Sequence, residues 1–328
     1  MAVGILIPVV FFSSLIIALF SLPIIIRRMN AAGITGNDMN KEGRPHAAEM
    51  GGLAIVMGAI GALLLAIALH TFFGYPLDLG NLLAAMLTMT IIALIGTFDD
   101  LFDMRKDVKA LLPMVAALPL VAVAAAGSTT IGLPLFGPVD FGVLYIIILI
   151  PLGVTVSSNL TNMLAGFNGM EAGMGAVIFA ATLLLAVANG SVEMALISAS
   201  MLGALLAFLR FNWFPARVFI GDIGTLLIGA ALASAVIIGN LESAGAILVL
   251  PYLADFFIKS MNRFPSKEWW GVPDESGRLR PVGGKVRGLA QLVMKKAGGI
   301  TERNLVLVFI AAEALCAFAA IMLYGKVI

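Results

Sequence analysis

Apolar runs long enough to cross a bilayer follow one another along this chain, and every second break between them is polar in a similar way. Four of five such breaks hold nineteen of the twenty Lys and Arg residues: four in 27–50, three in 98–110, two in 210–220 and ten in 259–303, with none in 158–172. Only Lys326 lies elsewhere. Basic residues confined to one side of a series of spans fix the orientation of the whole bundle. The same five breaks carry the unusual Asp and Asn motifs, so the chemistry is expected on that side.

With 61% hydrophobic and 12% charged residues and a mean hydropathy of +1.05, an ordinary soluble domain is excluded. Ten spans of about 20 residues would take roughly 200 residues. The apolar runs supply them near 3–26, 51–69, 80–97, 111–127, 141–158, 172–189, 192–209, 220–239, 244–261 and 304–325. The expected class is therefore an all-α polytopic membrane protein of about ten transmembrane helices, one transmembrane domain over 1–328. Taking the basic breaks as cytoplasmic puts both termini outside the cell membrane, with short outer turns at 71–79 and 127–140. The run 3–26 lacks a basic leader and is too long for a signal core, so it reads as a retained helix.

The longest polar insert, 262–303, reads as a small cytoplasmic subdomain before the last helix. Ser276-Gly277 and Gly283-Gly284 bracket an expected hairpin, 286–296 reads as an amphipathic helix, and Trp269-Trp270 suit the lipid headgroups. Cys316 is the only cysteine, which excludes a disulfide framework and a Cys-based metal site. A net charge of +1 gives no sign of a nucleic-acid partner, and a homodimer is left open.

Acids at span ends need a reason. Asp99-Asp100 closes the third span, and Lys109 follows on a short polar turn with Asp103 and Asp107. Adjacent carboxylates repel, so the pair is either solvated or held by a cation. The second cluster contains Asn159, Asn162, Gly166, Asn168 and Gly169 and no basic residue. If the fifth span stays helical, Asn159 and Asn162 share a face, and 165–169 is a tight turn. A cap plus a turn explains it equally well. The third cluster, Phe219-Ile220-Gly221-Asp222, puts a carboxylate at the start of the eighth span, where it complements the helix dipole or stands beside a diphosphate site. In the fourth, Asp255 and Lys259 neutralise each other at i, i+4, whereas Arg263 has no local partner and suits a phosphate. In the first loop, His46 reads as solvated and Glu49 follows it.

The ordered set of Asp-Asp, Asn-x-x-Asn-x-x-x-Gly-x-Asn-Gly and Phe-x-Gly-Asp at alternate span ends resembles the polyprenyl-phosphate N-acetylhexosamine-1-phosphate transferases of glycosyltransferase family 4. The resemblance is to the dolichyl-phosphate branch, in an archaeal-type form. It implies ten membrane helices, a cytoplasmic site, and transfer of a sugar-1-phosphate from a UDP-sugar, UDP-N-acetylglucosamine above others, to a membrane polyprenyl or dolichyl phosphate. UMP would leave, and the product would begin lipid-linked glycan assembly.

The resemblance also implies roles. Asn162 and Asp222 would hold Mg²⁺, or Mn²⁺ in its place, against the substrate diphosphate. Lys109 and Arg263 would bind its phosphates and Asn159 would support that centre. Gly166 and Phe219 would sandwich uracil, with Asn168 and neighbouring backbone such as Gly169 reading its edge. Asp99 and Asp100 would line the acceptor phosphate, and Glu49 would border it. Three features depart from the pattern: Met261 stands where eukaryotic members carry Arg, Asp103 replaces an Asn, and no His lies beyond His70. The last argues against the bacterial phospho-MurNAc-pentapeptide branch. A transporter or Mg²⁺ channel, and an intramembrane aspartyl protease using Asp99 and Asp222, remain alternatives from other classes.

Overall fold

Inside a bilayer the backbone has no water to bond, so each apolar run must satisfy its own amides by coiling into a helix. The computed structural model describes residues 2–124, 127–133, 136–265 and 267–326, and within them this is what the runs do. The chain is a multi-pass membrane protein, mostly helical. Nine helices among the described residues are long and apolar enough to cross a membrane. A tenth span is formed by α10 (Glu242–Leu248) and α11 (Leu250–Met261), which meet at a 59° bend. Pro251 explains the bend: it sits in the first turn of α11, where its missing N–H costs nothing, and it cannot extend the preceding helix.

The other long elements are α1 (Ala2–Ala32), α2 (Gly52–Phe73), α3 (Leu79–Phe102), α4 (Lys106–Ala116) continued by α5 (Leu118–Ala124), α6 (Ile150–Met163), α7 (Met170–Asn189), α8 (Val192–Asn212), α9 (Gly221–Ile238) and α13 (Glu302–Tyr324). Two boundaries differ from hydropathy in a way that matters. The third span runs on through Asp99 and Asp100 to Phe102, stopping at Asp103 in the left-handed conformation (φ 48°). The fourth begins at Lys106 rather than 111, which puts Lys109 on a helix and not on a polar turn. Helix hydrogen bonds carried the polar residues, and the stop came from the Asp99 carboxylate accepting the Met104 amide at 2.9 Å. The expected end of that span crosses residues 125 and 126, and the outer turn crosses 134 and 135; both pairs lie outside the described residues. So does residue 266 of the insert.

Among the described residues, sheet is confined to three two-stranded antiparallel ribbons. In the first loop β1 (Thr35–Asn37) pairs with β2 (His46–Ala48), and on the opposite side of the bundle β3 (Thr130–Leu133) pairs with β4 (Gly137–Asp140). In the insert β5 (Gly271–Pro273) pairs with β6 (Leu279–Pro281) through a turn containing Ser276-Gly277. Gly283-Gly284 fall after the second strand, so they do not bracket the hairpin. Helix α12 (Leu289–Lys296) buries Ala290, Gln291 and Met294. Met294 packs over Gly271, so the amphipathic face covers the hairpin.

Helix α9 is the central post of the bundle: 78% of its core is buried inside the protein, against 33% for α1 and α13 at the rim. Small residues allow this. Gly96 of α3 faces the backbone of Ile223, where an added Cβ would lie 2.6 Å from Ile223 N and Cα. Gly229 of α9 abuts the Ser157 carbonyl of α6 in the same way.

Forcing a branched side chain between α3 and α9 should strain the packing by about 1–3 kcal/mol. Gly96→Val should therefore lower the thermal midpoint of the detergent-solubilised protein by several degrees, whereas Gly132→Val, with open space around it, should not.

Candidate active site

Five polar connections meet at one end of the bundle, and buried polar groups there must find partners in each other. The first loop is stitched to the segment before α9: Phe219 N donates to Ala48 O at 2.8 Å, Gly51 N to Phe219 O at 2.9 Å and Gly52 N to Ile220 O at 2.8 Å. This register brings Glu49 and Phe219 to one wall and delivers Asp222 to the first turn of α9.

Around Asp222 the groups come from four helices. Lys109 of α4 lies 2.6 Å from the Asp99 carboxylate of α3 and also pairs with Asp222. Asn162 of α6 donates from Nδ2 to Asp222 Oδ1 at 2.9 Å and to Thr225 Oγ1 at 3.1 Å. Asp100 turns the other way. Its two oxygens accept the Asp222 and Ile223 amides at 2.8 and 3.3 Å, so it caps α9 from another helix. A carboxylate at a helix N-terminus is favourable, and the amides that could have met a diphosphate at that point are engaged by Asp100. Asn159 stands back from Asp222: its Nδ2 donates to Ala110 O at 3.0 Å and Thr155 O at 2.8 Å, tying α6 to the helix that carries Lys109.

The cluster holds three carboxylates and one ammonium, leaving it short of positive charge. Among the described residues no three His, Cys, Asp or Glu side chains are placed to hold a metal ion together. The donor set instead suits a hard ion that keeps several waters and takes other ligands from a substrate, as Mg²⁺ does. Asp222 would supply a carboxylate oxygen. Asn162 Oδ1, which takes no hydrogen bond from the described residues, would supply a neutral one.

Asp222 also lines a cavity of about 240 Å³ whose other walls include Glu49, Gly166, Asn168, Phe219 and Trp269. The 165–169 loop that forms one side owes its shape to Gly166 (φ 108°) and Gly169 (φ 85°), both in the region favouring glycine. Its backbone is pinned from several sides. Asn40 Nδ2 donates to Gly166 O at 2.7 Å, Gly166 N donates to Glu171, and Gly169 N donates to Asn212 Oδ1 at 3.0 Å. Asn168 N donates to Glu302 Oε1 at 2.8 Å. Gly169 is covered by Trp213 and is not on the cavity wall.

Several placements differ from expectation. The Trp269 ring lies directly over Gly166 and meets Phe167 edge-on at 6.3 Å. Trp270 lies under the Arg44 guanidinium at 6.0 Å. Both rings thus pack against residues at the basic end of the molecule. The face of Gly166 where a flat base was expected is thus shared with an indole. Arg263 is exposed, has a left-handed backbone (φ 57°) and makes no ion pair among the described residues. Lys259 pairs with Asp255 at 2.7 Å as the spacing predicts, and also reaches the Met163 carbonyl at the end of α6. Asp38, Asn40, Lys41, Glu171, Asn212 and Glu302 were missed as site residues. They lie in four separate stretches and sit in no recurring pattern; only Glu171, next to the Asn-Gly turn, had a local signal.

The sequence profile described as Glycosyl transferase family 4 matches residues 82–240. A Saccharolobus solfataricus protein, provisionally named a UDP-N-acetylglucosamine–dolichyl-phosphate N-acetylglucosaminephosphotransferase, is 34% identical over 91% of both chains. The enzyme of that name from Dictyostelium discoideum is 27% identical over 90% of this chain and 82% of its own. A phospho-N-acetylmuramoyl-pentapeptide-transferase of Shouchella clausii is 35% identical, over 62% of this chain and 63% of its own.

Removing one partner of a half-buried ion cluster leaves the rest unpaired and costs more than removing both. Lys109→Met and Asp99→Asn should each destabilise the protein, and the double variant should lose less than their sum by about 1–3 kcal/mol. Chemical denaturation of the four proteins in one detergent would measure that coupling, and additive losses would show that the pair is not coupled.

Proposed function

The chain belongs to glycosyl transferase family 4, and from that membership we propose that it transfers N-acetylglucosamine-1-phosphate from UDP-N-acetylglucosamine to a membrane dolichyl or other polyprenyl phosphate. The observation that supports this most is the join between the two halves of the site. Asp222, held by Lys109 and Asn162, forms one wall of the cavity that Gly166, Asn168 and Phe219 enclose. A charge-handling centre therefore adjoins a slot with an aromatic side and a polar edge, as a nucleoside diphosphate sugar requires. The dolichyl-phosphate relatives match nine-tenths of this chain, whereas pentapeptide transferases match 62–74% of it. That difference favours the dolichyl branch.

In this reading an oxygen of the lipid phosphate attacks the β-phosphorus of the UDP-sugar. The bond from that phosphorus to the bridging oxygen breaks, and UMP departs with its electrons. The nucleophile, a phosphate monoester with a second pKa near about 6, is already largely ionised at neutral pH, so no base is needed to form it. The protein's task is to bring two anions together and neutralise charge as it moves onto the leaving group. Lys109 does so from α4, and Asp99 fixes the ammonium. Asp100, by holding α9, keeps Asp222 in register with both. Arg263 is assigned to the diphosphate by the family motif alone. Mg²⁺, held by Asp222 and Asn162, would supply the remaining positive charge at the diphosphate. The basic end of the bundle is assigned to the cytoplasm, with both termini outside, from the one-sided Lys and Arg.

An aspartyl-protease mechanism would need Asp99 and Asp222 to share a proton. Both are held on Lys109, whose ammonium neutralises them in place of a shared proton.

Purified protein incubated with UDP-N-acetylglucosamine, a polyprenyl phosphate and Mg²⁺ should release UMP and form a lipid diphosphate sugar. Asp222→Ala and Asn162→Ala should each cut UMP release by at least about a hundredfold, and chelation of divalent ions should do the same. Turnover near the unmodified level in either variant would remove that residue as a ligand.

A further inference from the structure

Two buried carboxylates that the family motif does not account for, Asp38 and Glu302, hold a residue of the cavity wall that it does, Asn168. Asp38 of the first loop is 5% exposed, Asn168 4% and Glu302 4%. Asp38 accepts from Asn168 Nδ2 at 2.9 Å, and Glu302 accepts from the Asn168 backbone amide at 2.8 Å. Lys41 closes the ring: it pairs with Asp38 and lies 3.1 Å from Glu302, with its ammonium 4.6 Å from the centre of the Phe214 ring. One residue of the cavity wall is thereby held at two points by carboxylates from distant parts of the chain, which Lys41 bridges.

The chemistry of the contact decides which way the amide faces. A carboxylate in an ion pair can only accept hydrogen bonds, so Asp38 takes the NH₂ side of Asn168 and not its oxygen. Asn168 lines the cavity, and no hydrogen bond from the described residues reaches its Oδ1. We propose that Asp38, with Lys41 and Glu302, is a positioning residue for base selection: it locks the Asn168 amide so that only an acceptor is offered to the nucleobase. Uracil carries a donor at N3 and cytosine an acceptor there, so the locked amide accepts uridine nucleotides and rejects cytidine nucleotides. The inference rests on the nucleotide-sugar reading of the cavity and adds what sets its choice of base.

The test is binding of UMP, CMP and N3-methyl-UMP to the full-length protein in detergent, by calorimetry, for the unmodified chain and for Asp38→Asn. A mismatched donor and acceptor costs about 1–3 kcal/mol, so UMP should bind about 10- to 100-fold more tightly than CMP or N3-methyl-UMP. In Asp38→Asn the new amide can donate to Asn168 Oδ1 and turn its NH₂ toward the cavity. The preference for UMP over CMP should then fall at least about tenfold, and Asp38→Glu, which keeps the acceptor, should retain it. Equal weakening of UMP and CMP in Asp38→Asn, with the ratio unchanged, would make Asp38 a structural residue and overturn the proposal. Equal binding of the three nucleotides to the unmodified chain would also overturn it, even where the variant does not fold. Either result leaves the transferase reading standing. No binding of UMP or UDP-N-acetylglucosamine to the unmodified chain would overturn that reading and this inference together.

Discussion

One ammonium group joins the parts of this molecule that matter most. Lys109 lies between carboxylates on α3 and α9, and its own helix is tied to α6 through Asn159. Four spans, three of them consecutive in the chain, are therefore tied together at one end around a single charge. An ion pair of this kind, half sheltered from water, gains little net stability because desolvation offsets attraction. Its effect is on position. The end of each helix cannot slide without leaving a carboxylate unpaired, and register at that end is what phosphate chemistry needs.

The remaining carboxylate of the group, Asp100, shows why two adjacent acids are tolerated. Successive positions on a helix point about 100° apart, so Asp99 and Asp100 face different partners. One meets an ammonium and the other a helix N-terminus. The pair that looks mutually repulsive in sequence is separated by helical geometry and serves two different elements.

Much of this was legible from residues alone. Hydropathy marks the spans because lipid gives the backbone no alternative to a helix; the one-sided Lys and Arg mark the end where the motifs gather; and Asp99, Lys109, Asn162 and Asp222 do meet there. What escaped was of two kinds. Helix ends were misplaced where polar residues continued the coil, as at Phe102 and Lys106, since composition registers polarity and not capping. Partners of the 165–169 loop were also missed. Asp38, Asn40 and Glu302 look like solvated loop or helix-start residues; Asn40 accepts from the Gly271 amide of the insert hairpin, and Asp38 and Glu302 are held by Asn168 and Lys41, tertiary contacts with no local signature. Trp269 shows the same limit: its place over Gly166, far from it in sequence, has no local signature.

The contrast between the inner post α9 and the outer helix α13 divides the cavity mechanically. Asp222 is mounted on the element most enclosed by protein, whereas Glu302, which restrains the Asn168 amide, stands at the foot of a helix whose flank is mostly turned to lipid. Thickness or fluidity of the surrounding bilayer acts first on such a flank. The span that carries Lys109 is enclosed still less, so the host membrane bears on both sides of the cavity, the loop that frames the base and the cation beside Asp222, while the post between them stays fixed.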